Sequence, residues 1–382
     1  MTLFIYLKGE VWMKKTYNIL LFITMILIIL IYIIYNIYIR IDIKKNKGEN
    51  KNSKEKIISY DLRVGVLSVD NLNPIISNNM NVQNISRLIF EPLINLTYDY
   101  KIEPCLAEEW GKIDEKSYLI KLRKNVKWQD GKSFNAEDVI FTINLIKKLE
   151  NNSMYYKNIE EIIDIKKIDD LTIKIIINKE IENFEYNLIF PIISSNIYTV
   201  ENFFEESRSI VPIGTGMYYI SDINKENIIL KNNLEWWQKK KISISELNLK
   251  LYENINDEIK DIENNKIDLL ITSKTDINVD RYINNAKWFI TKKNNFKFNS
   301  SEMLFEDERN LINNKIQKNT EDEIDGIIKR IEEKHNNDNT YFNLFFDKSL
   351  IIYSKNLKGE ITPNSYNVFY NIENWYREYN KI

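Results

Sequence analysis

The sequence predicts an α/β body carried behind a membrane segment, and three observations predict it. Ser117 to Arg123 alternates Tyr118, Ile120 and Leu122 against Leu119, Lys121 and Arg123, the period-2 pattern of a strand with one more buried face. Asn135 with Asp138 three residues on supplies an N-cap and an acidic first turn. Val139, Ile143, Ile146 and Leu149 follow at helical spacing, so a helix begins at about Ala136. Ile19 to Ile39 runs 21 residues without a charge. As a helix rising 1.5 Å per residue it is about 31 Å long, enough to span a bilayer.

Taken in order, Met13-Lys14-Lys15 looks like the start of a signal sequence, which makes Met13 a candidate initiator and residues 1 to 12 an upstream extension. No small-residue cleavage site follows the span and no cysteine stands near it for lipidation, so the segment reads as an uncleaved anchor. Residues 40 to 58 form a charged, aromatic-free tether. The body begins near Ser59 with a strand at 61 to 67, then Leu72-Asn73-Pro74, then helical periodicity over 84 to 96. Asp130-Gly131 is a tight-turn pair between the apolar run Val126 to Trp128 and Phe134. Further on, Leu171 to Ile177 alternates as a strand, Glu182 to Phe190 reads as a short helix before Pro191, and 246 to 272 reads as strand, helix, strand.

Composition excludes several chemistries. With 53 basic and 55 acidic residues interleaved, a formal net charge of -2 gives no electrostatic case for a nucleic-acid partner. Cys105 and His335 each stand alone, so no disulfide, His-dependent triad or multi-His metal site can be assembled. Neither a GxxxxGK[ST] loop nor a GxGxxG turn is present. No catalytic residue, metal ligand or cofactor is expected, and the chain does not read as an enzyme.

The motifs point further. LAEEW at 106 to 110 and LRKNVKWQDGKSFNAEDV at 122 to 139 resemble LAESW and LRKGVKFHDGKPFTAEDV, the signature of the family 5 extracellular solute-binding proteins of ABC importers, the oligopeptide- and dipeptide-binding group. Asn125 replaces Gly, Trp128-Gln129 is the aromatic-polar pair, and Ser133 replaces Pro. Pro212 to Tyr218 resembles the family's P-x-G-T-G-P-Y turn with Met217 for Pro, Asn265-Lys266 stands for its Gly-Glu, and Lys358-Gly359 and Trp375-Tyr376 resemble its late pairs. Trp128, Gly214, Thr215 and Gly216 read as scaffold.

The resemblance implies an α/β, type II periplasmic-binding-protein-like two-lobe fold. The uncharged span gives residues 1–18 as a cytoplasmic N-terminus, 19–39 as the anchor and 40–58 as linker. The resemblance implies 59–90 as the first part of lobe I, 91–199 as a subdomain inserted in it, and 200–295 as its second part. Residues 296–340 are then a remnant of a largely missing second lobe, and 341–382 return to lobe I. By alignment Asn78, Asn79 and Met80 form the ligand-facing strand of lobe I. Tyr155 stands at a ligand-contacting aromatic position, or is a loop aromatic covering core. The implied function is non-covalent capture of an oligopeptide or other small solute for delivery to ABC permease subunits. The alternative is a degenerate paralogue acting as a membrane-surface interaction or sensory module. Lys and Arg after the span outnumber those before it, which by flank charge puts the body in the cytoplasm. The resemblance places it outside, on the extracellular face of a single-pass protein, where Gram-positive relatives are commonly lipoproteins; the extracellular side is the expectation.

Overall fold

The Asp61–Leu67 strand turns Leu62, Val64 and Val66 into the core, with Leu62 and Val64 fully covered, and it organises the larger sheet. Strand order there is Ala286–Lys297, Tyr341–Tyr353, Leu269–Thr272, Asp61–Leu67, Glu246–Tyr252, Asn227–Asn232, Tyr218–Ile223. Asp61–Leu67 runs parallel to Glu246–Tyr252 throughout and meets Leu269 in parallel register, while the outer pairs are antiparallel. The computed structural model describes residues 56–97, 101–199, 203, 210–272, 286–297, 326, 329, 341–364 and 366–380. The chain divides into two units, Met1–Ile57 with Asn380–Ile382, and Ile58–Tyr379, and the second holds both main sheets. The expected span Ile19–Ile39, the tether to residue 55 and nearly all of 296–340 lie outside the described residues. Among those described, no helix is long and apolar enough to cross a membrane.

The second sheet is antiparallel, in the order Ala107–Asp114, Ser117–Leu122, Thr172–Ile177, Ile162–Asp169. Tyr118, Ile120 and Leu122 point into the core and Leu119 and Lys121 to solvent, as their alternation predicts. The Ala136–Leu149 helix packs its Val139, Ile143 and Ile146 face over this sheet. Its capping box forms: Asn135 Oδ1 accepts from Glu137 N at 2.8 Å, and Asp138 Oδ2 accepts from Asn135 N at 3.1 Å. Asp138 does more than its sequence position suggests. It is fully buried, and it also accepts from Trp128 Nε1 at 3.1 Å and from Ser195 N and Oγ at 2.9 and 2.8 Å. The Asp130-Gly131 turn closes with Gly131 N donating to Trp128 O at 2.8 Å. Gln129 ties that hairpin to the glycine turn: its Oε1 accepts from Gly214 N at 2.9 Å and its Nε2 donates to Tyr218 O at 2.7 Å. Gly214 is required by proximity, since a Cβ there would sit 1.8 Å from the Ile89 carbonyl oxygen.

Three expectations are corrected. The helix expected over 84 to 96 spans Met80–Ile89, and Ile94–Leu96 is a strand paired with Ile102–Pro104. Phe90 turns extended before Pro92, which has no N–H to continue a helix. Asn78 to Met80 is not a strand: it leads into that helix, with Asn79 as its cap and Met80 as its first residue. The segment from Glu182 to Phe190 is a short 3-10 turn, Phe184–Leu188.

Candidate functional site

In open α/β sheets ligands collect beyond the carboxyl ends of parallel strands, where connections diverge. Here Leu67 and Tyr252 end adjacent parallel strands, and Ser68 N donates to Tyr252 O at 3.1 Å. The loop that follows is stiffened by its own side chains. Asn71 and Asn73 accept from Asn73 N and Ile75 N at 2.9 and 3.0 Å, and Ser77 Oγ donates to Asp70 Oδ1 at 2.7 Å. Asn79 Oδ1 caps the helix by accepting from Asn81 N at 2.8 Å, and its Nδ2 donates to Ser68 O at 2.8 Å; Asn81 Nδ2 donates to Leu67 O.

Beneath the loop lies Gln83, buried one turn into the helix. Its Nε2 donates to Pro74 O at 2.9 Å and Ser77 O at 2.7 Å, and its Oε1 accepts from the Tyr155 hydroxyl at 2.6 Å. The loop is thereby held from below, and what it presents outward is Asn78 and Met80, the latter 50% exposed. Asn78 has no side-chain hydrogen-bond partner among the described residues. The four residues singled out by sequence therefore take different stations. Asn78 and Met80 face solvent, Asn79 fixes the corner between them, and Tyr155 is covered, packed 6.3 Å from Phe190 by ring centroids. Burial raises the Tyr155 phenol pKa, against the nearby Arg87 charge, so it stays a donor at neutral pH. Tyr155→Phe leaves Gln83 Oε1 without that donor, and is expected to lower the unfolding free energy by about 1 to 2 kcal/mol with little change in secondary structure; chemical denaturation followed by circular dichroism measures it, and an unchanged midpoint would show the brace to be idle.

At the other end of the same helix the chain builds a structure that the sequence did not announce. Glu91 is buried, with Oε1 accepting from Trp236 Nε1 at 3.0 Å and Oε2 from Trp237 Nε1 at 2.7 Å and Thr215 Oγ1 at 2.8 Å. Burial pushes its carboxyl pKa up, and these donors pull the other way. A charge inside the apolar run Ile89 to Leu93 was the available signal; the donors come from 124 to 146 residues away and leave no local trace. A cavity of about 830 Å³ opens beside this cluster. The Cys105 thiol lines it but is buried, its pKa pushed well up by burial and by Glu91, so it is a poor nucleophile. Among the described residues no group of three or more His, Cys, Asp or Glu is placed to hold a metal ion.

The model of the bacterial extracellular solute-binding proteins, family 5 Middle, matches residues 101–310, more than half of the 382-residue chain. The chain belongs to this family. Among curated family 5 relatives, the periplasmic oligopeptide-binding protein OppA of Salmonella typhimurium is 26% identical over 214 residues, covering 51% of this chain and 39% of OppA. The glutathione-binding protein GsiB of Shigella flexneri is 26% identical over 169 residues, covering 44% of this chain and 33% of GsiB. This family 5 chain thus spans only about a third to two fifths of the length of these relatives. Among solved structures, NikZ from Campylobacter jejuni in complex with Ni(L-His) superposes with a TM-score of 0.54 at 26% identity, over 63% of this chain and 49% of NikZ. The fold is accordingly the α/β fold of type II periplasmic binding proteins, and these relatives are binding proteins rather than enzymes.

Proposed function

We propose that this family 5 protein captures an oligopeptide or other small solute without covalent chemistry and delivers it to the permease of an ABC importer. It is held at the membrane by Ile19–Ile39 with its body on the extracellular side. The observation that carries the reading is the solvent-facing Asn78 and Met80 at the carboxyl edge of parallel strands, on a loop braced by Gln83. An exposed amide and a thioether there suit a peptide: the amide offers both donor and acceptor to a backbone, and Met adapts to varied side chains. Asn79 serves by fixing the corner, and Tyr155 acts on the ligand face through Gln83. The domain plan is lobe I from 59–90, 200–295 and 341–382, an inserted subdomain over 91–199, and a second lobe reduced to 296–340.

A reduced second lobe leaves one wall of the usual enclosure largely absent, so capture is expected to be weak, with a Kd of about 1 mM, because affinity rises with desolvation on both faces of a ligand. Calorimetry of the full chain in nanodiscs against a di- to pentapeptide pool tests this. Asn78→Ala should weaken the heat several-fold. Silence at about 10 mM peptide, near the limit of useful capture, would sink solute capture and leave a membrane-surface interaction module. Micromolar binding would instead refute the reduced lobe.

A further inference from the structure

The cavity beside Glu91 is a separate feature from the ligand face. Met80 and Arg87 lie seven positions apart on one helix, about 10 Å along its axis at 1.5 Å per residue, with Arg87 lining the cavity. Six lysines and arginines line it against five glutamates, a formal excess of one positive charge. Glu235 and Glu373 are paired with Lys239 and Lys240 at 3.8 and 3.5 Å. Glu91 has both oxygens engaged by neutral donors, and Glu103 Oε1 accepts from Asn95 Nδ2 at 2.8 Å. Glu108, exposed at the mouth, is the remaining acid.

Against these stand four cations that have no carboxylate partner among the described residues: Arg87, Arg123, Lys124 and Lys127. Two are oriented by the protein. The Arg87 guanidinium lies 3.6 Å from the Tyr366 ring centroid, and Arg123 lies 4.5 Å from that of Trp237 while its Nε donates to Cys105 O at 2.9 Å. The Arg123 plane is thus fixed by one bond and one ring, and its two terminal nitrogens remain for a ligand. A guanidinium held flat in this way loses little freedom when it engages a pair of oxygens. Charge-assisted bonds to such a fork are among the stronger polar contacts available.

We infer that this cavity is a second binding site, distinct from the peptide face, for a small group of two or more negative charges bearing phosphate or carboxylate oxygens. Arg123 and Arg87 hold its oxygens and Lys124 and Lys127 add charge at the mouth. A volume of about 830 Å³ leaves room for a body larger than the anionic group itself.

Full-length protein in nanodiscs of neutral lipid is titrated with inorganic pyrophosphate and separately with succinate. At low salt at least one is expected to bind with a Kd of about 1 mM or tighter, weakening as ionic strength rises. Arg123→Gln should weaken binding about tenfold, one charge-assisted contact's worth. Should Arg123→Gln fail to fold, Lys124→Gln, exposed at the mouth, should still weaken it about twofold to threefold. Lys166→Gln, on the antiparallel sheet and outside the cavity, should leave it unchanged. Pyrophosphate alone binding assigns a phosphate ligand, and succinate binding as well assigns the wider class. No heat from either at about 10 mM, or binding indifferent to both Arg123→Gln and Lys124→Gln, overturns the site. The peptide titration is run on the same preparation, so loss of one binding without the other separates this inference from the peptide reading.

Discussion

The body of this protein is expected to lose stability steadily as pH rises from about 4.5 to 8, and Glu258→Gln is expected to abolish that loss. Glu258 sits on the Ile255–Glu263 helix, fully buried against the central strand. A Cβ at Gly65 would lie 2.5 Å from its Oε1, so only glycine leaves room for this carboxyl. Neither oxygen has a hydrogen-bond partner among the described residues. Burial pushes its pKa up to about 8, from an ordinary value of 4.5. Between those values the folded state keeps a proton that the unfolded chain has released, so stability falls with pH; above about 8 both states are ionised and the loss is complete. A shift of that size corresponds to a cost of about 5 kcal/mol. The neighbours do not relieve it. Asp261, three residues on, is held well below the usual carboxylate range by Lys250, with further help from Lys266 and Tyr252, so those cations are already engaged. Denaturant midpoints of the wild-type and Glu258→Gln bodies from pH 4.5 to 9 decide the matter. Parallel curves would mean that Glu258 is solvated and ionised throughout.

Where the sequence was legible, it was because the controlling interaction was local. The capping box at Asn135 and Asp138, the alternation of Ser117–Leu122 and the Asp130-Gly131 turn each depend on residues within a few positions, and all formed. Two apparent departures from the family pattern turn out to conserve backbone shape. Asn125 and Asn265, both standing for glycine, have φ of 62° and 57°, the left-handed region that asparagine tolerates better than most side chains. The failures were non-local. Periodicity over 84 to 96 ran together the end of a helix and the strand Ile94–Leu96, because apolar residues facing one core repeat similarly in both. The cap at Asn79 was readable, but the resemblance suggested a strand there. Gln83 and Glu91 matter through Tyr155, Trp236 and Trp237, partners that no local pattern brings together.

The largest effect is expected at the C-terminal end. A body ending after Asp338 should show no cooperative unfolding, and Arg377→Ala in the intact body should lower its stability by on the order of 3 kcal/mol. Tyr341–Tyr353 is the only partner of Ala286–Lys297 among the described strands, and it covers one edge of Leu269–Thr272 in antiparallel register from Leu269 opposite Tyr353 to Thr272 opposite Leu350. The segment it begins also contributes Leu350, Ile351, Ile352, Leu357, Ile361, Val368, Phe369, Ile372 and Trp375 to the interior. At about 2 kcal/mol for each such side chain, their loss exceeds the roughly 5–15 kcal/mol that holds a typical domain together. Arg377 locks the closure. Its Nη1 donates to Asp61 Oδ2 at 2.7 Å and to Asp61 O at 2.9 Å, across 316 positions, and its Nε lies 3.3 Å from Asp268 Oδ2 without hydrogen-bond alignment. Asp268 is in turn gripped by Arg63, with Nη2 to Oδ1 at 2.8 Å and Nε to Oδ2 at 2.9 Å. Removing Arg377 leaves the buried Asp268 with one cation and the Asp61 carbonyl without that donor, whereas Arg377→Lys should recover part of the loss, keeping charge but not the fork. Calorimetric melting of the three variants beside the intact body tests this closure. A truncated body that melts as sharply as the intact one would show that the two ends of the chain do not build one sheet.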